Sequence, residues 1–160
     1  MNEQTKNQIN TVRQGQASRR ASSVKVEERT PTPLEYAKLR DSARWDKMDL
    51  KTIEQGLKNS IFSVCATFEN EVVGCGRVIG DGALYFYIQD VIVVPAFQKK
   101  GIGEFIMNEI MKFLATVADQ NAFVGLMSAE GGTGFYERYG FEERPGNETG
   151  MLKIWRKKTV

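Results

Sequence analysis

The chain has 160 residues, 41% hydrophobic and 26% charged, and its net charge of +2 argues against a protein built around a nucleic-acid backbone. No apolar run approaches the roughly 18 residues of a membrane span, and no apolar-centred leader opens the chain. A cytoplasmic protein with neither nucleic-acid nor membrane partners is expected.

Met1 to about Ser22 is rich in Asn, Gln, Ser, Thr and Arg. It reads as a polar tail (1–22), because so few apolar groups cannot offset the entropy of ordering it. The remainder, 23–160, reads as a single domain. Val24 to Glu27 alternates as a strand does. Thr32-Pro33 supplies a cap and first position for a helix carrying Leu34, Tyr36, Ala37, Leu39 and Arg40 and running toward Trp45. Asp49 can cap a second short helix, Leu50 to Leu57.

Ile61 to Phe68 and Val72 to Ile79 form an expected antiparallel hairpin around Glu69-Asn70-Glu71. Cys65 and Cys75 fall in these neighbouring strands and, with no export signal, read as buried thiols rather than a disulfide. Asp81-Gly82 is a second hairpin signal. Leu84 to Val94 is then apolar on both faces except for Gln89 and Asp90, as a central strand covered on both sides would be. Pro95 ends it.

From Gly101 the chain turns helical, with Ile102, Phe105, Ile106, Ile110, Phe113, Leu114 and Val117 on one face. Phe123 to Ser128 reads as a strand. Thr133 to Tyr139 reads as a brief helix stopped by Gly140. Phe141 to Glu143 and Met151 to Trp155 read as closing strands around Arg144-Pro145-Gly146-Asn147. The fold class is α+β: a mixed, mostly antiparallel central sheet flanked by helices, with one parallel crossover from Val94 to Phe123.

The composition holds no histidine. That removes imidazole bases and Ser-His or Cys-His nucleophiles and argues against a zinc site; no metal is expected. Acid–base work falls to carboxylates, tyrosines, lysines, backbone groups or water. The run Gln98-Lys99-Lys100-Gly101-Ile102-Gly103 joins a central strand to an amphipathic helix. The first amides of a helix lack intrahelical partners and the dipole favours negative charge there. Glycines let an anion approach the main chain, and the lysines add positive charge. The run lacks the P-loop's Gly-Lys-Ser/Thr and the third glycine of a dinucleotide fingerprint. By itself it fits an anion-binding turn or a merely structural one.

Gln98-x-x-Gly101-x-Gly103 after Val91-Ile92-Val93-Val94-Pro95 resembles the pyrophosphate motif of the GCN5-related N-acetyltransferases. Gly134-Phe135-Tyr136-Glu137-Arg138-Tyr139-Gly140-Phe141 is similar to that family's later helix. The resemblance spans roughly Val24 to Trp155. It implies an acetyl-CoA-dependent N-acetyltransferase whose fourth and fifth strands splay apart, with the pantetheine arm paired to Val91, Ile92 and Val93. The pyrophosphate would lie on Gln98 to Gly103, and a small-molecule or peptide amine would attack the thioester directly in a ternary complex. A catalytically silent CoA-binding module is the alternative, and a homodimer is implied because family members are often dimers.

Helical context alone favours Tyr136 as a packing aromatic; it stands, however, where the family places a tyrosine near the CoA sulfur, so the resemblance implies a proton donor to the departing thiolate. Asp90 is the first candidate base, through water, or else a residue that bonds nearby backbone where the strand distorts. The resemblance puts Tyr36, Arg40, Trp45, Met48, Tyr85 and Tyr87 around the acceptor amine, though such residues also serve as ordinary packing. The asparagine many members carry before the helix tyrosine is missing from Ala129-Glu130-Gly131-Gly132-Thr133.

Overall fold

The computed structural model describes residues 24–144 and 146, so the polar tail and the expected strand Met151 to Trp155 lie outside the described residues. The chain divides into two compact units, Met1–Met127 and Ser128–Val160. The first unit holds a five-stranded sheet in the order β1-β2-β3-β4-β5. Its strands are β1 (Lys25–Glu28), β2 (Phe62–Phe68), β3 (Glu71–Gly80), β4 (Tyr85–Val93) and β5 (Phe123–Leu126), and its helices are α1 (Pro33–Ser42), α2 (Leu50–Lys58) and α3 (Ile102–Val117). The first four strands run antiparallel to their neighbours and β5 is parallel to β4. The α+β class and the crossover through α3 are therefore as the sequence patterns imply.

Local chemistry sets the element ends. Thr32 and Glu35 form a reciprocal capping box at the start of α1, satisfying two otherwise orphaned amides. Asp49 Oδ1 accepts from the Lys51 and Thr52 amides to start α2. Glu69 and Asn70 both take positive φ, 50° and 64°, which is the backbone of a two-residue hairpin loop matched to strand twist. Asp81 Oδ1 accepts from the amides of Ala83, Leu84 and Tyr85 at 2.8–3.0 Å. It thereby organises the turn into β4.

The helices cover opposite faces of the sheet. Tyr36, Leu39, Ile53, Leu57, Cys65, Cys75 and Ile92 form one buried cluster beneath α1 and α2. On the other face α3 buries Ile102, Ile106, Met107, Ile110 and Leu114, and Phe113 stacks on Phe62 at 4.5 Å. α3 presses so close that a Cβ on Gly76 would lie 2.7 Å from Ile106 and 2.8 Å from Ile110. Cys65 and Cys75 face each other across the β2–β3 ladder as free, buried thiols.

The second unit contains the short helix α4 (Thr133–Glu137), followed by Gly140 at φ +83°. Phe141 to Glu143, expected as a strand, are irregular. A strand exists only where a ladder satisfies its backbone, and no strand among the described residues pairs with this segment.

Candidate active site

The central strand β4 carries a bulge at Asp90. Arg77 on β3 stands opposite Gln89, and Cys75 opposite Ile92, so β4 gains one residue over its partner there. Asp90 absorbs the extra residue with φ +57°. That left-handed backbone is disfavoured for most side chains but tolerated by aspartate. The bulge also switches parity, so Asp90 and Ile92 turn into the face covered by α1 and α2.

Asp90 is 5% exposed, and donors fill its carboxylate. Oδ2 accepts from Tyr36 Oη at 2.7 Å and Arg77 Nε at 2.6 Å, while Oδ1 accepts from Gln89 Nε2 at 3.2 Å. Arg77 also donates to the Gly56 carbonyl and to Ser60 Oγ at the end of α2. Burial, then the charge and hydrogen bond of Asp90, push the Tyr36 phenol up to about 12, so it stays a donor. Breaking such a pair by removing one partner costs about 3–5 kcal/mol, because the other charge is left stranded.

Beside this network, the Arg40 guanidinium lies 5.8 Å from the Tyr36 ring centre and 5.3 Å from that of Trp45, and it donates to the Asp46 carbonyl at 2.9 Å. Its Nε is buried with no hydrogen-bond partner among the described residues. A cavity of about 110 Å³ adjoins it, lined by Ala37, Arg40, Asp41, Lys47, Met48 and Ile53. Tyr36, Arg40 and Trp45 are thus brought together with Asp90. Tyr85 and Tyr87 stand elsewhere, on β4 before the bulge, where Tyr85 packs on Phe123 at 6.0 Å. Burial raises the Tyr87 phenol above its ordinary value.

Just past the last pair with β5, Ile88↔Leu126, β4 continues through Gln89 to Val93 with no β5 partner. Val94 N donates to Val73 O. By the alternation of strand backbone, the amides and carbonyls of Val91 and Val93 therefore turn to the side β5 has left. Ile92 instead anchors the core. Gln98 Nε2 donates to Val93 O at 2.9 Å, folding back over the strand end.

The turn after β4 is a short 3-10 segment, Pro95–Phe97, then Lys99 at φ 57° and Gly101 at φ 81°. Gly101 caps α3, and no side-chain cap hydrogen bond to its opening amides is made among the described residues. In α1 and α2 the side chains of Thr32 and Asp49 take opening amides, whereas the glycine at the start of α3 has no side chain to do so. Lys100 Nζ bonds back to Ala96 O and lies 5.2 Å from the Phe97 ring, whereas Lys99 is exposed.

In the second unit, Tyr136 is half-buried and packs edge-on against Phe135 at 5.0 Å and Phe141 at 6.4 Å. Burial raises its phenol above the ordinary value of 10.0. A groove of about 750 Å³ runs between β1 and α3 and includes none of the Asp90 network.

A mixed sheet that opens beyond a bulge on its central strand, followed by a glycine-started helix, is the architecture of acetyltransferases of the GNAT type. Residues 59–143 match the family profile described as "Acetyltransferase (GNAT) domain". A probable acetyltransferase from meticillin-resistant Staphylococcus aureus superposes with a TM-score of 0.78 at 32% identity, over 82% of this chain and 99% of that one. The uncharacterized N-acetyltransferase ycf52 of Porphyra purpurea is 29% identical over 74% of this chain and 69% of its own length. The chloroplastic GCN5-related N-acetyltransferase 1 of Arabidopsis thaliana is 30% identical over 68% of this chain and 55% of its own. The chain belongs to the GNAT family of acetyltransferases.

Sequence reasoning missed Arg77. The signal was present: β4 carried an isolated polar pair, Gln89-Asp90, and Arg77 is the cation inside the neighbouring apolar run. A carboxylate in a strand covered on both faces requires such a partner.

Proposed function

We propose that this chain transfers the acetyl group of acetyl-CoA to a primary amine of a small molecule or peptide by direct attack in a ternary complex, within one catalytic domain (23–160). The observation that carries it is the parting of β4 from β5 immediately before a helix that begins on a glycine with no side-chain cap among the described residues. The residues present fit the cosubstrate. Val91 and Val93 offer strand-like backbone to the pantetheine amides, and Gln98 to Gly103 offer main-chain donors and lysine charge to the pyrophosphate. A bound thioester supplies the electrophilic carbonyl; the protein's work is to align it and move two protons.

The amine nitrogen bonds to the acetyl carbon, the C–S bond breaks, and Tyr136 gives its proton to the departing thiolate. Its raised phenol keeps that proton available at neutral pH. The proton lost by the amine passes through water to Asp90 Oδ1, which among the described residues accepts from the Gln89 side-chain amide alone. Arg40, Trp45, Tyr85 and Tyr87 remain the acceptor-side candidates, with Tyr36 acting from beneath through Asp90. Free thiols suit a reducing compartment, the cytoplasm or, as in the Arabidopsis relative's name, the chloroplast. A homodimer is part of the proposal, to be read from the mass in solution.

The test is thiol release from acetyl-CoA across polyamines, arylalkylamines, amino acids, aminoglycosides and peptide N-termini, with and without Tyr136→Phe. Turnover on at least one acceptor, reduced by the substitution, is expected. Binding of acetyl-CoA without release on any acceptor would sink the enzymatic proposal.

A further inference from the structure

We propose that Arg77 is a positioning residue for acetyl-CoA: its ion pair with Asp90 is the latch that holds the β4 bulge in the left-handed conformation from which β4 leaves β5. The inference rests on the reading that the opened stretch of β4 receives the pantetheine arm.

Three features meet at the same place in the fold. The last β4–β5 pair is Ile88↔Leu126, the extra residue of the bulge follows between Gln89 and Ile92, and the left-handed residue is Asp90 at φ +57°. Aspartate tolerates that conformation better than most residues, but in a buried strand its surroundings decide whether it is held. Here they hold it. The Asp90 side chain is 2% exposed and the Arg77 side chain 11%, with the Arg77 guanidinium 5.6 Å from the Tyr36 ring centre. Arg77 is itself fixed by Gly56 O and Ser60 Oγ, so the end of α2 anchors the latch.

Cys75 Sγ adds a contact to the Asp90 carbonyl at 3.4 Å. If Asp90 relaxed to extended backbone, its carboxylate would swing away from Arg77. The residues after it would then exchange faces, because strand side chains alternate with a period of two. Ile92 would leave the core, and the Val91 and Val93 amides would no longer face the opening. The charge pair therefore sets which backbone groups are presented beyond the bulge.

The experiment measures acetyl-CoA affinity by calorimetry, together with kcat and the melting temperature, in a small set of full-length variants. Arg77→Met should weaken binding roughly tenfold, the cost of populating the left-handed conformation unaided. Arg77→Lys, which keeps the charge but not the fork, should weaken it less. The deciding pair carries no buried charge at all. Arg77→Met with Asp90→Gly should bind within about threefold of the wild type, since glycine adopts positive φ freely. Arg77→Met with Asp90→Val should stay weak, since a β-branched residue resists it.

Equal affinity for the glycine and valine doubles would overturn the latch, as would wild-type affinity in Arg77→Met. Failure of the wild-type protein to bind acetyl-CoA would sink the donor-site reading and the latch together, a different outcome from either. The glycine double should still turn over slowly, because Asp90 Oδ1 is gone; kcat thus reports the base while affinity reports the bulge.

Discussion

Replacing Gly101 by asparagine and, separately, by alanine divides its role in the turn from the one proposed for it in binding. Gly101 sits at φ 81° at the N-cap of α3, and a Cβ built there meets nothing within 4 Å. No clash contributes, so the stability cost is backbone strain alone, about 1–2 kcal/mol for alanine. With each kcal/mol moving the midpoint of a domain this size by roughly 4 °C, Gly101→Ala should melt about 4–8 °C lower. Asparagine tolerates the left-handed region, so Gly101→Asn should melt within about 2 °C of the wild type. Both variants place a Cβ in the space through which an anion would approach the α3 amides. Loss of one charge-assisted hydrogen bond of about 1.5–3 kcal/mol corresponds to roughly a 10- to 150-fold rise in the acetyl-CoA KM. The assay is thiol release against acetyl-CoA concentration, alongside calorimetric melting. Gly101→Asn with an intact fold and a KM within twofold of the wild type would refute a pyrophosphate site on this turn.

The remaining expectations test packing, electrostatics and thiol chemistry. Gly76→Ala should destabilise by about 1–3 kcal/mol through overpacking against α3, and Ile110→Val, which removes the methyl lying 2.8 Å from the new Cβ, should recover part of it; denaturant melts of the single and double variants decide. Hydrogen bonding to Arg29 holds Glu35 below its ordinary value of 4.5. Its stabilisation is therefore present above that pH and lost as pH falls through the lower folded value. The melting gap between wild type and Glu35→Gln should shrink from pH 6 to pH 3, and a gap constant with pH would contradict this. Burial raises the Cys65 thiol to about 11 and holds the Cys75 thiol well above its ordinary value, so neither should react with a thiol reagent until the protein is unfolded, as a colourimetric titration would report.

Much of the fold was legible because it is written in short-range chemistry. Thr32-Pro33 and Asp49 start helices by capping orphan amides, the α3 stripe repeats at helical spacing, and Pro95 stops β4 before a glycine turn. Such signals need only neighbours in sequence, so an expectation for the donor half of the candidate site could be drawn from residues 91 to 103. Phe141 to Glu143 read as a strand from the turn residues that follow, but no strand among the described residues pairs with them, and a strand needs a ladder.

What tertiary structure alone decided lies at Asp90. In sequence it was a carboxylate in an apolar strand, open to use as a base or as a structural residue. The fold supplies the partners that define it: Tyr36 from α1 and Arg77 from β3. It also supplies the register in which one extra residue on β4 falls just beyond the last pair with β5. Residues separated by 54 and 13 positions meet there only because the sheet and α1 fold together. A buried charge must find its counter-charge wherever the chain brings one, and no local pattern states where that will be.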